Sequence, residues 1–472
     1  MADREYEVVV GLEVHCELRT ETKLFCGCRN AFGESPNTNV CAVCLGLPGS
    51  LPVLNRHAVE LAMRIGEALH CEVRPSIFHR KNYFYPDMPK DFQISQYDEP
   101  INVEGWLDLP DATRVGIERA HMEEDTGKTT HVGGGGRIHE AEYSLVDYNR
   151  AGVPLVEIVS RPDLRSAEQA RSYVSELRAI LVATDASDGK MEEGSLRVDA
   201  NVSVRPSGSE ALGTRCEIKN LNSLRSLGRA IDYEAARQVK LLEAGERVVQ
   251  ETRHWNEAEG RTGTGRSKEE AYDYRYFPEP DLVPVAPDDE WRRRVRASLP
   301  PLPAARRARL AEAAGLEPAA VATVVELDLD TLVLAAISAG ADPRRAVNRT
   351  ANEVASDLAG ARRLDPAAFT KLLLMEDSGR LTATQAKQVL AALVSEGGDP
   401  EAIASARGFE AMAASALGAV VDELIASHPA EWERFKGGDR KVTGFFVGQV
   451  MKATQGKADG KVVNALLAER AR

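Results

Sequence analysis

The chain has 472 residues, long enough for two to four domains rather than one. Its 43% hydrophobic and 28% charged content is that of an ordinary folded chain, and no apolar run is long enough to span a bilayer. The net charge of −13 argues against indiscriminate polyanion binding, so any nucleic-acid site has to be local and shaped. The first residues, Met1-Ala2-Asp3-Arg4-Glu5, carry acid and no apolar signal region, which leads to the expectation of a cytoplasmic protein.

The first predicted element is a strand over Tyr6 to Leu18. Val8, Val10, Leu12 and Val14 share one parity, and Gly11, Glu13, His15 and Glu17 the other, so Glu13 and His15 project together. Four of the seven cysteines follow as Cys26-x-Cys28, twelve residues, then Cys41-x-x-Cys44, with Gly27, Gly33 and Gly46 to turn the chain. Two closely spaced thiol pairs suit a closed tetrahedral zinc, a structural rather than a catalytic site. Cys16, Cys71 and Cys216 are scattered, and an odd count speaks against a disulfide framework.

Ala58, Leu61, Ile65 and Leu69 form a helical stripe. Arg80 to Asp87 then mixes cations with aromatics, a combination that suits base stacking beside phosphate contact. Glu123-Glu124-Asp125 follow His121, and Glu157 sits inside the apolar run Leu155 to Val159. A carboxylate there is costly to bury unless it is paired or holds a metal, and carboxylates with one imidazole suit Mg²⁺ or Mn²⁺. Ser166 with Gln169 reads as a capping box ahead of Ala170, Tyr173, Val174, Leu177 and Leu181. Over Ser195 to Pro206, Leu196, Val198, Ala200, Val202 and Val204 face a core, while Arg197, Asp199, Asn201 and Ser203 face away. Glu217 and Lys219 share a parity in the next strand.

Prolines 278, 280, 284 and 287, with 300, 301 and 303, read as a connector to an Ala-, Leu-, Arg- and Glu-rich stretch. The expected domains are therefore 1–290, 291–405 and 406–472, the last two helical. The expected fold class is α+β, with an antiparallel sheet and helices in the first domain. Three phosphate-loop look-alikes fail. Met122 stands where the Walker A motif ending Gly127-Lys128-Thr129 needs its first glycine, and the runs at Gly133 and Gly263 lack the third glycine of a dinucleotide fingerprint.

Several motifs together resemble one family. They include Val10 to Leu18, Arg80 to Asp87, Gln93 to Gln96, His121 to Lys128, Asp147 to Glu157, Met191 to Arg197 and Glu217 to Ser223. Asp273 to Pro278 and Gly444 to Lys452 carry the match to the C-terminus. The chain resembles the B subunit of the bacterial aspartyl/glutamyl-tRNA(Asn/Gln) amidotransferase over its whole length. That resemblance implies a cradle domain, a helical domain and a small YqeY-like, tRNA-binding tail. It implies a heterotrimer with an amidase-type A subunit and a small C subunit, and names a non-discriminating aminoacyl-tRNA synthetase as a further partner. It implies that ATP activates the side-chain carboxylate of Glu-tRNA(Gln) or Asp-tRNA(Asn), and that ammonia then forms the amide. By the same resemblance His15, Glu124 and Glu157 are Mg²⁺ ligands, with Glu13 close by and Glu123 and Asp125 as rivals to Glu124. Lys81, Asn82, Tyr83, Arg197, Asp199, Glu217 and Lys219 are then contacts for nucleotide or aminoacyl group. The four cysteines hold a zinc separable from catalysis. The loop from Val132 to Glu140 varies in length in the family. The competing readings are a non-catalytic tRNA-binding module and a stand-alone zinc hydrolase, and the second lacks an HExxH motif.

Overall fold

The computed structural model describes residues 6–133, 141–265, 274–409, 414–437, 440–454, 458 and 460–471. Most of the glycine loop before Glu140, and Asp273 of the Asp273 to Pro278 motif, lie outside them. The chain divides into two compact units, Met1–Pro303 and Ala304–Arg472.

The first unit is built on strands β1 (Tyr6–Glu17), β2 (Glu72–Val73), β3 (His79–Asn82), β4 (Phe92–Ser95), β5 (Asn102–Asp108), β6 (Arg114–Glu124), β7 (Lys128–Val132) and β8 (Tyr143–Asp147). They continue with β9 (Pro154–Ser160), β10 (Leu196–Pro206), β11 (Cys216–Leu221), β12 (Thr252–Asn256), β13 (Arg261–Thr264) and β14 (Phe277–Pro278). The main sheet runs β13-β12-β11-β10-β1-β9-β6-β4-β3-β14, with β5 and β2 branching from β6, and β7 pairs with β8 apart from it. Neighbours are antiparallel except β11 and β12, so the sheet is mixed.

Parity explains which face is covered. Val10, Leu12, Val14 and Cys16 of β1, Val156 and Ile158 of β9, and Leu196, Val198, Ala200 and Val202 of β10 are all buried. They form one core with α1 (Arg56–Ala68), α2 (Ala167–Ala183) and α3 (Leu224–Glu243). The stripe Ala58, Leu61, Ile65 and Leu69 lies wholly in that core. The Ser166 side chain caps α2 by accepting from Gln169 N at 3.1 Å, but the Gln169 side chain accepts from Arg165 N rather than from the cap residue. The prolines from 278 to 287 do not end this unit, which runs on to Pro303. Helix α4 (Asp289–Ala297) packs on α1, with Trp291 donating to Glu60 at 3.0 Å and Val295 buried in the same core.

The second unit is helical and has two cores. Leu310, Val333, Phe369, Leu373, Val389 and Leu390 belong to one, and Leu417, Val421, Phe446, Val450, Val463 and Leu467 to the other. Helices of this unit open on Asp-Pro pairs, in which Asp342, Asp365 and Asp399 cap the first turn with their carboxylates. No helix among the described residues is long and apolar enough to cross a membrane.

Close backbone approach fixes one position of the first core. A Cβ on Gly105 would sit 2.4 Å from both the Leu69 carbonyl oxygen and the Cys71 sulfur. A carbonyl held between α1 and β5 cannot give way cheaply, so Gly105→Ala is expected to destabilise the first unit by about 1–3 kcal/mol. Thermal unfolding of the full chain checks this, and an unchanged midpoint would show that the α1 end can relax.

Candidate active site

The uncovered face of the main sheet floors a cleft of about 1950 Å³. Antiparallel register places its polar side chains in rows. Arg197, His15, Glu157 and His121 are direct neighbours across β10, β1, β9 and β6. Asp199, Glu13, Val159 and Arg119 form the next row. Cross-strand neighbours on one face stand close enough to interact, so the grid makes the site.

Two acidic groups result. In the first, His121 Nε2 lies 3.3 Å from Glu123 Oε1 and 3.7 Å from Glu157 Oε2, and His15 Nε2 lies 3.6 Å from the same Glu157 oxygen. In the second, the donor atoms of Glu13, Asp199 and Glu217 converge. Lys219 donates to Asp199 at 2.8 Å and lies 3.3 Å from Glu217. Asn201 donates to Glu13 at 2.9 Å, and Thr252 to Glu217 at 2.9 Å. The members of each triple lie within 4.8 Å of one another, and their donor types are those of a hard divalent cation. Buried Nδ1 of His121 has no hydrogen-bond partner among the described residues.

Charge balance follows from this packing. Burial pushes the Glu157 carboxyl up, but the His15 hydrogen bond and the charges of His121 and His15 hold it well below the usual range. Burial opposes charge on His15, yet Glu157 and Asp199 raise it to about 8. Glu123 is also held low. Burial raises it, and the His121 hydrogen bond and Lys81 outweigh that and the repulsion from Glu157. Asp125 is buried and stays low beside Arg197 and Arg150. Its carboxylate accepts from Arg197 at 2.5 Å.

The expected ligand set is only partly assembled. His15 and Glu157 meet, and Glu13 on the same strand as His15, Asp199 on the next, and Glu217 and Lys219 on the one after lie beside them, but Glu124 is absent from the cleft. Its buried carboxylate pairs with Lys90 and accepts from Ile94 N at 2.9 Å. The cause is parity: Ala120, Met122 and Glu124 take the covered side, and Arg119 and Glu123 line the open side, with His121 between them fully buried against Glu123 and Glu157. Glu123, the rival acid, therefore occupies the position expected of Glu124, and His121, which carries no role in the sequence reading, is the extra imidazole. Lys81 and Tyr83 line the cleft. Asn82 does not line it. Its amide donates to the carbonyls of Tyr274 and Arg275 at 2.9 and 3.0 Å. Tyr85, Tyr274 and Tyr276, from the two stretches of cations and aromatics, add to the lining, as do Tyr97, Arg119 and Arg215, which sequence reasoning does not single out.

The cysteines sit on the loop between β1 and α1. All four sulfurs lie within 4.8 Å of one another, and Cys41 Sγ is 3.9 Å from Cys44 Sγ. A tetrahedron with bonds near 2.3 Å has edges of about 3.8 Å, so the group fits one zinc. Cys44 is the readiest thiolate. The Cys26 thiol donates to it, and this, with the Cys41 N–H and the Lys23 charge, overcomes burial and holds it at about 5.

Residues 8–293 match the family model described as the GatB/GatE catalytic domain, and residues 331–470 match the GatB domain. The chain is 52% identical to the B subunit of the aspartyl/glutamyl-tRNA(Asn/Gln) amidotransferase of Frankia casuarinae, covering 98% of this chain and 95% of that one. The same-named proteins of Salinispora arenicola and Carboxydothermus hydrogenoformans are 52% and 48% identical, the latter over 99% of both chains. The chain belongs to the family of aspartyl/glutamyl-tRNA(Asn/Gln) amidotransferase B subunits.

Two lysines near the cleft should behave differently. Lys90→Met strands the buried Glu124 carboxylate, an expected loss of about 3–5 kcal/mol. Among the described residues Lys81 makes no hydrogen bond or ion pair, and Lys81→Met should cost about 1 kcal/mol or less. Urea denaturation of the two variants checks this, and equal losses would contradict the assignment of Glu124 to structure.

Proposed function

We propose that this chain is the component of a glutamine-dependent tRNA amidotransferase that binds Glu-tRNA(Gln) or Asp-tRNA(Asn) and makes the carbon–nitrogen bond. The side-chain carboxylate of the aminoacyl group attacks the γ-phosphorus of ATP. ADP leaves, and an acyl phosphate remains. Ammonia from an amidase-type A subunit attacks the acyl carbon, phosphate leaves, and the nitrogen gives up a proton. A small C subunit and the synthetase complete the assembly, which works in the cytoplasm. The helical 406–472 tail adds tRNA affinity.

The observation that carries this reading is the grid of acids and imidazoles on one open sheet face, in a chain of this family. Both acidic substrates and a triphosphate are anionic, so an acid-lined floor needs cations between. His121, Glu123 and Glu157, with His15 against Glu157, and then Glu13, Asp199 and Glu217, are the residues that would hold Mg²⁺. When bound, Mg²⁺ neutralises phosphate charge and aligns the transferred group. Lys81 supplies a cation for phosphate, Arg197 keeps Asp125 charged beside the cleft, and Lys219 fixes the second acid group. A tRNA-binding module without chemistry leaves two convergent acid groups without a purpose.

In the reconstituted complex, Glu123→Gln and Glu157→Gln should each lower amide formation on the order of a thousandfold, since charge neutralisation and alignment both suffer. ATP hydrolysis dependent on misacylated tRNA should fall with it, while glutaminase activity without tRNA persists. Near-normal transamidation by both variants would refute the assignment.

Cys26, Cys28, Cys41 and Cys44 hold one structural zinc. Metal analysis of chain purified without chelator should find about one equivalent, and Cys41→Ser should release it and lower the melting temperature. Metal-free wild-type protein of normal stability would rule the zinc out.

A further inference from the structure

The cysteine group is accompanied by a buried cation whose charge the fold leaves unanswered. Lys23 is fully buried, yet among the described residues its ammonium forms no ion pair with a carboxylate. It donates to the Tyr148 carbonyl at 3.2 Å, which uses one of its three donors and supplies no countercharge. Taking an ammonium out of water is costly unless a negative charge takes the place of the water.

The surroundings of Lys23 show where that charge can come from. Its backbone N–H donates to the Cys28 carbonyl at 3.0 Å, so it belongs to the turn that carries the first thiol pair. Its stem runs beside the second pair. A Cβ built on Gly152 would stand 3.6 Å from Lys23 Cδ and 3.7 Å from Cys44 Cβ. Glu124 Oε2 borders the same spot at 3.9 Å, but that carboxylate pairs with Lys90 and accepts from Ile94 N. The Cys26 hydrogen bond and the Lys23 charge both favour thiolate at Cys44, and the Cys41 N–H donates to the same sulfur at 3.0 Å.

Four thiolates around one divalent ion leave two negative charges in excess. That excess and the Lys23 ammonium each supply what the other lacks, at a depth where charges are poorly screened. We infer that Lys23 is the built-in countercharge of the zinc site and sets how tightly the four cysteines hold a divalent ion. The inference rests on the zinc reading given above. Lys23 supplies no ligand atom and acts through Cys44, as a positioning residue.

Zinc affinity of the full chain, measured by competition with a chromophoric chelator, tests this with two neutral variants. Lys23→Met fills a similar space with neither charge nor donor, and Lys23→Gln loses the charge but keeps a donor for the Tyr148 carbonyl. Each should weaken zinc binding roughly tenfold to a hundredfold. Replacing zinc by iron adds a readout that a purely structural lysine would not move. The four-thiolate site carries one more negative charge with Fe²⁺ than with Fe³⁺, so a nearby ammonium favours the reduced form. Both variants should therefore lower the reduction potential, by about 59 mV for each tenfold loss of that preference. Wild-type zinc affinity or an unmoved potential in either variant overturns the inference. Failure of both variants to fold would assign Lys23 to the fold alone and overturn it as well. A wild-type chain that takes up no zinc would instead overturn the zinc reading itself.

Discussion

The pleat of the main sheet is the constraint on which the site depends. Alternate residues of β1, β9 and β10 go either to a core covered by helices or to the open floor of the cleft. A carboxylate at a core position needs a partner of its own, and Glu124 has one in Lys90. A carboxylate on the floor can stay charged beside imidazoles, as Glu157 does. One geometric rule thus sorts the acids into those that face the core and those that face the cleft.

β6 shows how finely this sorting works. Val115 and Ile117 are buried on odd numbers, Ala120 and Met122 on even ones. The switch falls where the β6–β9 register slips between Ile117 and Arg119. A bulge adds one residue and moves every later side chain to the other face. Without it, His121 and Glu123 would enter the core and Glu124 the cleft.

That bulge also marks the limit of what the sequence reveals. The floor residues of β1, β10 and β11 are legible because their alternation is unbroken from Val8 to Val14 and from Leu196 to Val204. The cysteine group is legible from spacing, since its members are close along the chain. The rival acids after His121 cannot be separated by sequence, because the alternation ahead of them changes phase at a position that only pairing with β9 defines. Asn82 is a ligand contact only in what the resemblance implies. Its amide donates to Tyr274 and Arg275, nearly two hundred residues away, a pairing that the sequence does not reveal. Composition groups helix α4 with the helical region, and only its packing on α1 assigns it to the first unit.

Hydrogen bonds of the chain entering β9 tie the cysteine loop to the site. Leu24 N donates to Gly152 O, and Lys23 to Tyr148 O, so the loop is fastened to the chain entering β9. Gly152 and Asp125 exchange backbone hydrogen bonds at one remove, through Gly152 N to Asp125 O and Asp125 N to Val153 O. Asp125 in turn anchors Arg197, the first residue of the central row. On the covered side, Lys90 reaches Glu124 and lies over both the Phe25 and Phe92 rings. Through Phe25 and Lys90 the loop meets the end of β6 on one face, and Glu123 lines the cleft on the other. Four thiols closed around an ion would stiffen that contact without contributing a ligand to the floor. A zinc held there would be structural and would still bear on the geometry of Glu123.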